Sequence, residues 1–253
     1  MAISALTIYT FHTIILFKGE IIMKGILYGV GVGPGDPEYI TLKALNLVKE
    51  NDVIAVAGKD AKEAVAYKIV EATYPEIADK EIVPVYMPMV MDREEQKKNH
   101  QKGARLLEKY LDEGKNVVYI TLGDSTIYCT FSYLQEIVEE DGYQTQLVAG
   151  IPSFCAAAAR VNQPLVLWNA PLHIVPALHK KEETLSLPGN YVFMQSGSHM
   201  SEVKEIFRES GRDVFDVENC GMPDEKVYMS VDEIPEDAGY FSLIVAKEKP
   251  NYD

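Results

Sequence analysis

Three short segments gather the residues that could hold or orient a small molecule. The first is Tyr28-Gly-Val-Gly-Val-Gly-Pro-Gly-Asp-Pro37, which follows an apolar run at Gly25–Val32. A dinucleotide fingerprint requires G-x-G-x-x-G. Counting from Gly29 puts Pro34 at the third glycine, and counting from Gly31 puts Asp36 there, so the spacing fails twice. No Gly-Lys-Ser/Thr follows, which removes a phosphate loop. What remains is a turn of minimal side chains, where a ligand can lie against backbone or where the chain simply turns tightly. The second segment is Leu122-Gly-Asp-Ser-Thr-Ile-Tyr-Cys-Thr130. Its Asp124 can accept hydrogen bonds from a bound hydroxyl or amine, or else Asp124 or Ser125 merely caps the next helix. The third is Val148-Ala-Gly-Ile-Pro-Ser-Phe-Cys-Ala-Ala-Ala-Ala159. Its alanines suit a closely packed helix, while Ser153 offers a hydroxyl as cap, ligand contact or both.

The elements that must position these segments alternate in type. Gly25–Val32 reads as a strand and Pro37–Glu50 as a helix with Asp36 as N-cap and Pro37 as first residue. Strand 52–57, helix 61–73, a charged helix over 92–113 stopped by Gly114, strand 116–122, helix 132–140, strand 144–148 and helix 153–161 follow. Residues 162–189 carry four prolines and break the pattern. Beyond them come strand 190–194, helix 201–210, strand 213–218 and strand 240–247. This alternation predicts an α/β architecture with a largely parallel sheet. A boundary near 148–150 divides an N-terminal α/β domain, 23–148, from a C-terminal one, 149–253. Ligands of such sheets collect at the carboxyl ends of strands, where the first two segments fall.

Composition narrows the partners. A formal charge of −14 argues against a nucleic-acid phosphate surface. Three scattered cysteines, Cys129, Cys155 and Cys220, form neither a disulfide framework nor a zinc motif, and a reducing cytoplasmic compartment fits them. His173 and His179 lack metal-site spacing, so no metal site is expected. Met1–Phe17 is short for a membrane span and has no basic residue ahead of its apolar stretch, unlike a signal peptide. Phe17–Met23 can be encoded with a purine-rich ribosome-binding sequence just ahead of the Met23 codon. Residues 1–22 are therefore expected to be translated leader or a disordered extension, with Met23 as initiator.

In order and spacing, the three segments together resemble the tetrapyrrole (corrin/porphyrin) methylases, over about Lys24 to Lys247. Within that family the likeness is greatest to the carbon-20 methyltransferases. It is carried by Val85-Tyr-Met-Pro-Met89, the helix at 92–113 and Gly-Asp-x-x-x-Tyr-x-Thr-x-x-Tyr-Leu at 123–134. The resemblance implies two α/β domains with S-adenosylmethionine held in a cleft between them. By residue, it assigns cofactor binding to Pro34, to Gly123, Asp124 and Ile127, to Pro152 and Ser153, to the backbone of Met194, and to Cys220 or Gly221 in the late loop 218–227. Two departures stand out. Ser125 replaces the proline of the family's Gly-Asp-Pro, and Pro152 stands where Ser or Thr is usual.

The implied reaction is C-methylation of a corrin precursor, precorrin-2 or cobalt-factor II, at carbon 20 in cobalamin biosynthesis. The implied assembly is a homodimer. Methyl transfer from a sulfonium to an electron-rich carbon needs positioning above all, and no catalytic base is nominated. A substrate with several carboxylates facing an acidic protein needs local cations. Lys59, Arg93, Lys97, Lys98 and Arg160 are the candidates, although charges on a helix face usually just meet solvent. Three readings compete: another tetrapyrrole methylase, acting on uroporphyrinogen III or a different corrin carbon; a nicotinamide-dependent oxidoreductase, disfavoured by the failed glycine spacing; and a binding module without turnover.

Overall fold

Two five-stranded sheets, one parallel and one mixed, carry the chain's loops. The computed structural model describes residues 14–17, 20–88, 90, 92–176, 185, 187–195 and 200–249. Met89, His179, and residues 1–13 and 18–19 of the N-terminal segment lie outside the described residues. Of that segment, β1 (Ile14–Phe17) and β2 (Glu20–Met23) form an antiparallel pair. The chain falls into two units, residues 1–32 with 41–150, and residues 33–40 with 151–253. The first glycine-rich segment is thus divided, with its second half grouped with the C-terminal unit.

The first unit alternates strands and helices. In chain order these are β3 (Ile26–Gly31), α1 (Leu42–Glu50), β4 (Val53–Ala57), α2 (Val65–Thr73), β5 (Glu81–Val85), α3 (Arg93–Asp112), β6 (Val117–Thr121), α4 (Phe131–Glu140) and β7 (Gln144–Val148). All five strands pair in parallel, in the order β5-β4-β6-β3-β7. Leaving β4 the chain moves to one edge, and leaving β6 it moves to the other, so the strand order reverses between β4 and β6. The loops there diverge and leave a crevice at the carboxyl ends.

Local chemistry explains the boundaries. Asp92 opens α3 by accepting from the Glu94 and Glu95 N–H groups at 2.8 and 3.0 Å, and those two acids complement the positive end of the helix dipole. Ala104, Leu107 and Leu111 then fall on one face and pack with Phe131, Leu134 and Val138 of α4 against Leu27, Ala55 and Tyr119 of the sheet. Each fully buried leucine there stabilises the unit by about 2 kcal/mol. The alternate strand residues Ile54, Val56, Val118 and Ile120 are buried on the opposite side.

The expected helix over 37–50 is interrupted. Pro37–Tyr39 makes one 3-10 turn capped by Asp36, Ile40 is extended, and Thr41 restarts the chain as α1 by accepting from Ala44 N–H at 3.1 Å. To cap α1 Thr41 adopts an extended backbone, and the turn opened by Asp36 therefore stops before it.

The second unit has α5 (Ser153–Arg160), β8 (Leu172–Pro176), β9 (Asn190–Met194), α6 (Met200–Ser210), β10 (Asp213–Glu218), β11 (Lys226–Tyr228) and β12 (Ser242–Lys247). Its sheet, β11-β10-β12-β9-β8, is parallel only between β8 and β9, which corrects the expectation of a largely parallel sheet for this half. The cause is the connection after β10. No helix spans 219–241, so the chain returns by turns, and strands joined that way pair antiparallel. No described helix is long and apolar enough to cross a membrane.

Asp216 is fully buried on β10 and accepts from the Ser242 hydroxyl at 2.6 Å. Burial, partly offset by that bond and reinforced by Glu218, raises its pKa to about 6. The folded state therefore holds this proton more tightly than the unfolded chain. Its contribution is fully present below the ordinary value of 3.8 and is lost as pH rises toward 6. We expect Asp216→Asn to flatten this arm. The urea-melt stability of the variant relative to wild type should rise by about 2 kcal/mol between pH 4 and pH 7. A difference that stays constant over that interval would show that Asp216 does not titrate there.

Candidate functional site

In the first unit three backbone segments meet at the carboxyl ends of β3, β6 and β7. A Cβ built on Gly150 would lie 2.1 Å from the Gly123 carbonyl oxygen and 2.8 Å from the Gly31 carbonyl carbon. A Cβ on Gly31 would lie 2.6 Å from the same Gly123 oxygen. Only bare backbone fits at that convergence. The Val32 N–H donates to the Thr121 carbonyl at 3.0 Å, extending the ladder one step beyond the strands.

Asp124 binds this convergence together. One carboxylate oxygen accepts from the Thr126 N–H at 2.8 Å and from the Thr126 hydroxyl, and the other accepts from the Gly150 N–H at 2.7 Å. Both oxygens are therefore engaged by the chain itself, and the side chain is buried. Ser125, which stands where the family pattern has proline, donates its hydroxyl to the Val148 carbonyl at 2.9 Å and is also buried. A hydrogen bond thus anchors this loop to the end of β7 where the usual residue would stiffen it by its ring. Gly123 is buried with a φ of +71°, and Ile127 is half-buried in the same loop.

In the second unit the first and late loops touch backbone to backbone. A Cβ on Gly35 would lie 2.3 Å from the Cys220 carbonyl oxygen, and one on Gly221, whose φ is +77°, would lie 2.4 Å from the Asp36 nitrogen. Pro34 is buried beside this contact. Asp36, Tyr39, Ala156, Arg160, Cys220 and Glu225 line a recess there. Glu225 secures the late loop by accepting from the Gly221 N–H at 2.8 Å and pairing with Arg160. Pro152 is the N-cap of α5 and, lacking a hydroxyl, makes no side-chain cap bond, while Ser153 begins the helix half-buried. Met194 ends β9 half-buried, opposite Leu243 of β12, and is followed by Gln195 with a φ of +61°. The structure thus gathers Gly123, Asp124 and Ile127 in one unit. It places Pro34, Pro152, Ser153, Met194, Cys220 and Gly221 in the other.

Nucleophilic chemistry finds little support among the described side chains. Burial raises the thiol pKa values of Cys129 and Cys155, and pushes that of Cys220 to about 11, so none is a ready thiolate. His100 stacks on Tyr133 with centroids 4.6 Å apart, and burial lowers its pKa. His173 stacks on Tyr191 at 4.5 Å and has its Nε2 3.0 Å from the Pro188 carbonyl oxygen. Among the described residues no three His, Cys, Asp or Glu side chains converge as metal ligands. Of the cations considered for an anionic substrate, Arg160 is held by Glu225, and Arg93, Lys97 and Lys98 are exposed on the first turns of α3 beside Glu94 and Glu95. Reading the segments for side-chain chemistry alone passed over Gly31 and Gly150. The signal was their position, Gly31 at the end of a strand and Gly150 two residues past one, inside motifs already singled out.

The model of the family described as Tetrapyrrole (Corrin/Porphyrin) Methylases matches residues 26–235. A protein of Methanocaldococcus jannaschii named probable cobalt-precorrin-2 C(20)-methyltransferase is 35% identical over 225 residues, covering 87% of this chain and 95% of that one. The cobalt-precorrin-2 C(20)-methyltransferase of Salmonella typhimurium is 26% identical, covering 91% and 99%. Among solved structures, uroporphyrin-III C-methyltransferase of Thermus thermophilus in complex with S-adenosyl homocysteine superposes with a TM-score of 0.67 at 21% identity, covering 88% of this chain and 98% of that one. A cobalt precorrin-4 methyltransferase superposes at 0.68 with 23% identity, covering 88% and 94%. These two likenesses concern the fold.

Proposed function

The chain belongs to the tetrapyrrole (corrin/porphyrin) methylases, and from that premise we propose that it transfers a methyl group from S-adenosylmethionine to carbon 20 of a precorrin-2 macrocycle in cobalamin biosynthesis. The observation that carries the reading is the match in sequence, over nearly the full length of both chains, to a relative named for that reaction. The cobalt-bearing substrate is favoured over the metal-free one. The relatives named for it are 35% and 26% identical, and the one named for precorrin-2 is 24% identical.

S-adenosylmethionine supplies an electrophilic methyl carried on a sulfonium. What the chain contributes is placement. The bare-backbone convergence of Gly31, Gly123 and Gly150 packs three segments so closely that no Cβ has room, and this fixes the loops against whose main chain, in our reading, a nucleoside–amino acid ligand lies. In our reading Gly123 and Ile127, Pro34, Pro152 and Ser153, the Met194 backbone, and Cys220 with Gly221 hold the donor. Asp124 serves it by fixing two of the loops in register. Ser153 offers its hydroxyl, and the raised thiol pKa of Cys220 keeps that side chain neutral against it. Holding the acceptor carbon in line with the sulfur–methyl bond can account for much of the acceleration. We read the enzyme as a cytoplasmic homodimer, and a single-chain mass by light scattering would end that part of the reading.

The test is to offer metal-free precorrin-2 and its cobalt form, each with S-adenosylmethionine, and to follow product mass. A gain of one methyl on the cobalt substrate, mapped to carbon 20 by carbon-13 labelling of the donor, is the expected result. Label at another carbon, or turnover only with uroporphyrinogen III, would move the chain elsewhere in the family. No label on any tetrapyrrole would overturn the function.

A further inference from the structure

A polycarboxylate substrate must be drawn to a protein of formal charge −14, so some cation has to stand where the macrocycle binds. In the first unit the strand order reverses between β4 and β6, and ligands of open parallel sheets occupy the crevice at such a reversal. Lys59 lies two residues past the end of β4, at that crevice. The Gly58 N–H donates to the Val85 carbonyl at 2.9 Å, which brings the residues following β4 and β5 side by side. The Lys59 ammonium consequently sits 5.0 Å from the centre of the Tyr86 ring. Both side chains are exposed.

The next segment is tied to the same place from the β6 side. The buried Tyr119 hydroxyl donates to Met87 Sδ at 3.7 Å and shares a hydrogen bond with Thr130, so the chain after β5 and the chain after Asp124 meet over one phenol. Unlike Arg105, held by Glu108 and Asp141, and Lys68, held by Glu63, Lys59 is not held by a carboxylate among the described residues. The neighbouring Asp60 accepts from the Lys62 N–H at 3.1 Å. A lysine poised over an aromatic face loses part of its rotamer freedom in advance.

We propose that Lys59, oriented by Tyr86, binds a carboxylate arm of the tetrapyrrole and is a substrate-binding residue of this enzyme. The assignment rests on the methylase reading above. The experiment is steady-state turnover of cobalt-precorrin-2 by wild type, Lys59→Gln, Lys59→Arg and Tyr86→Leu, with S-adenosylhomocysteine affinity measured on each as the check on folding. Lys59→Gln should raise KM for the tetrapyrrole about tenfold, with kcat and cofactor affinity within about twofold of wild type. Lys59→Arg should restore most of the loss, and Tyr86→Leu should fall between. Raising the salt should raise the wild-type KM and leave that of Lys59→Gln nearly flat. An unchanged KM in Lys59→Gln, or a fall in kcat at constant KM, overturns the assignment while wild-type turnover leaves the methylase reading intact. A wild type that methylates no tetrapyrrole overturns both.

Discussion

Gly150→Ala is expected to lower the melting temperature by about 10 °C and to weaken S-adenosylhomocysteine binding about a hundredfold. The added methyl would sit 2.1 Å from the Gly123 carbonyl oxygen, with the Gly31 carbonyl carbon and Cα at 2.8 and 2.9 Å. Every atom it meets first is backbone, so no side chain can swing aside and one of three segments must move. Forcing that shift should cost about 3 kcal/mol, which corresponds to the stated fall for a chain of this length. The loops that would be displaced are those proposed to hold the donor. Gly142→Ala is the matched control. A Cβ at Gly142 meets nothing within 4 Å, but its φ of +81° is the left-handed region, so that change carries backbone strain alone, about 1 kcal/mol. The two variants separate lack of space from lack of conformational freedom. Scanning calorimetry and titration with S-adenosylhomocysteine read both quantities. A Gly150→Ala protein that melts and binds like Gly142→Ala would show that the convergence is looser than these distances indicate.

The sequence marked these loops because glycine, proline and aspartate at strand ends are local signals. What happens between the loops is not local. The hydrogen bond from Gly150 to Asp124 spans 26 residues, and no pattern in either segment announces it. The same distinction runs through the fold. Helix α3 was legible because Asp92, Glu94 and Glu95 open it, an apolar face runs through it and Gly114 closes it. By contrast, β5 escaped notice because Pro84 interrupts its pattern, and it is tolerated only because β5 is an edge strand. At an edge of the second unit's sheet β8 runs among prolines with every residue half-buried or exposed, so there is no alternation to detect, and backbone pairing with β9 alone defines it. Three-residue β11 is similarly defined by its partner. Alternation of strand and helix also says nothing about how a chain returns when a helix is missing, which is why the antiparallel pairing of β10 and β12 had to be seen.

Asp124 distinguishes a residue that touches a ligand from one that shapes the surface for it. Its carboxylate serves three donors at once, the Thr126 N–H and hydroxyl on one oxygen and the Gly150 N–H on the other. Asparagine has the same shape but only one acceptor. With its oxygen toward Thr126, its amide N–H faces the Gly150 N–H; turned over, it faces the Thr126 N–H instead. Either way a buried donor loses its partner and confronts another donor, at a cost of about 2–3 kcal/mol. Asp124→Asn should therefore behave almost as badly as Asp124→Ala, with kcat/KM down by at least about a hundredfold. The discriminating measurement is made without ligand. If Asp124 acts as a clamp, amide hydrogen exchange at Gly150 and Thr126 should accelerate by about thirty- to a hundredfold in the free Asn variant, because local opening loses that much free energy. If its purpose were only to grip the methyl donor, exchange in the free protein would stay at the wild-type rate while affinity fell. That outcome would return Asp124 to the role of direct contact and leave the register of the two loops to their glycines and to Ser125.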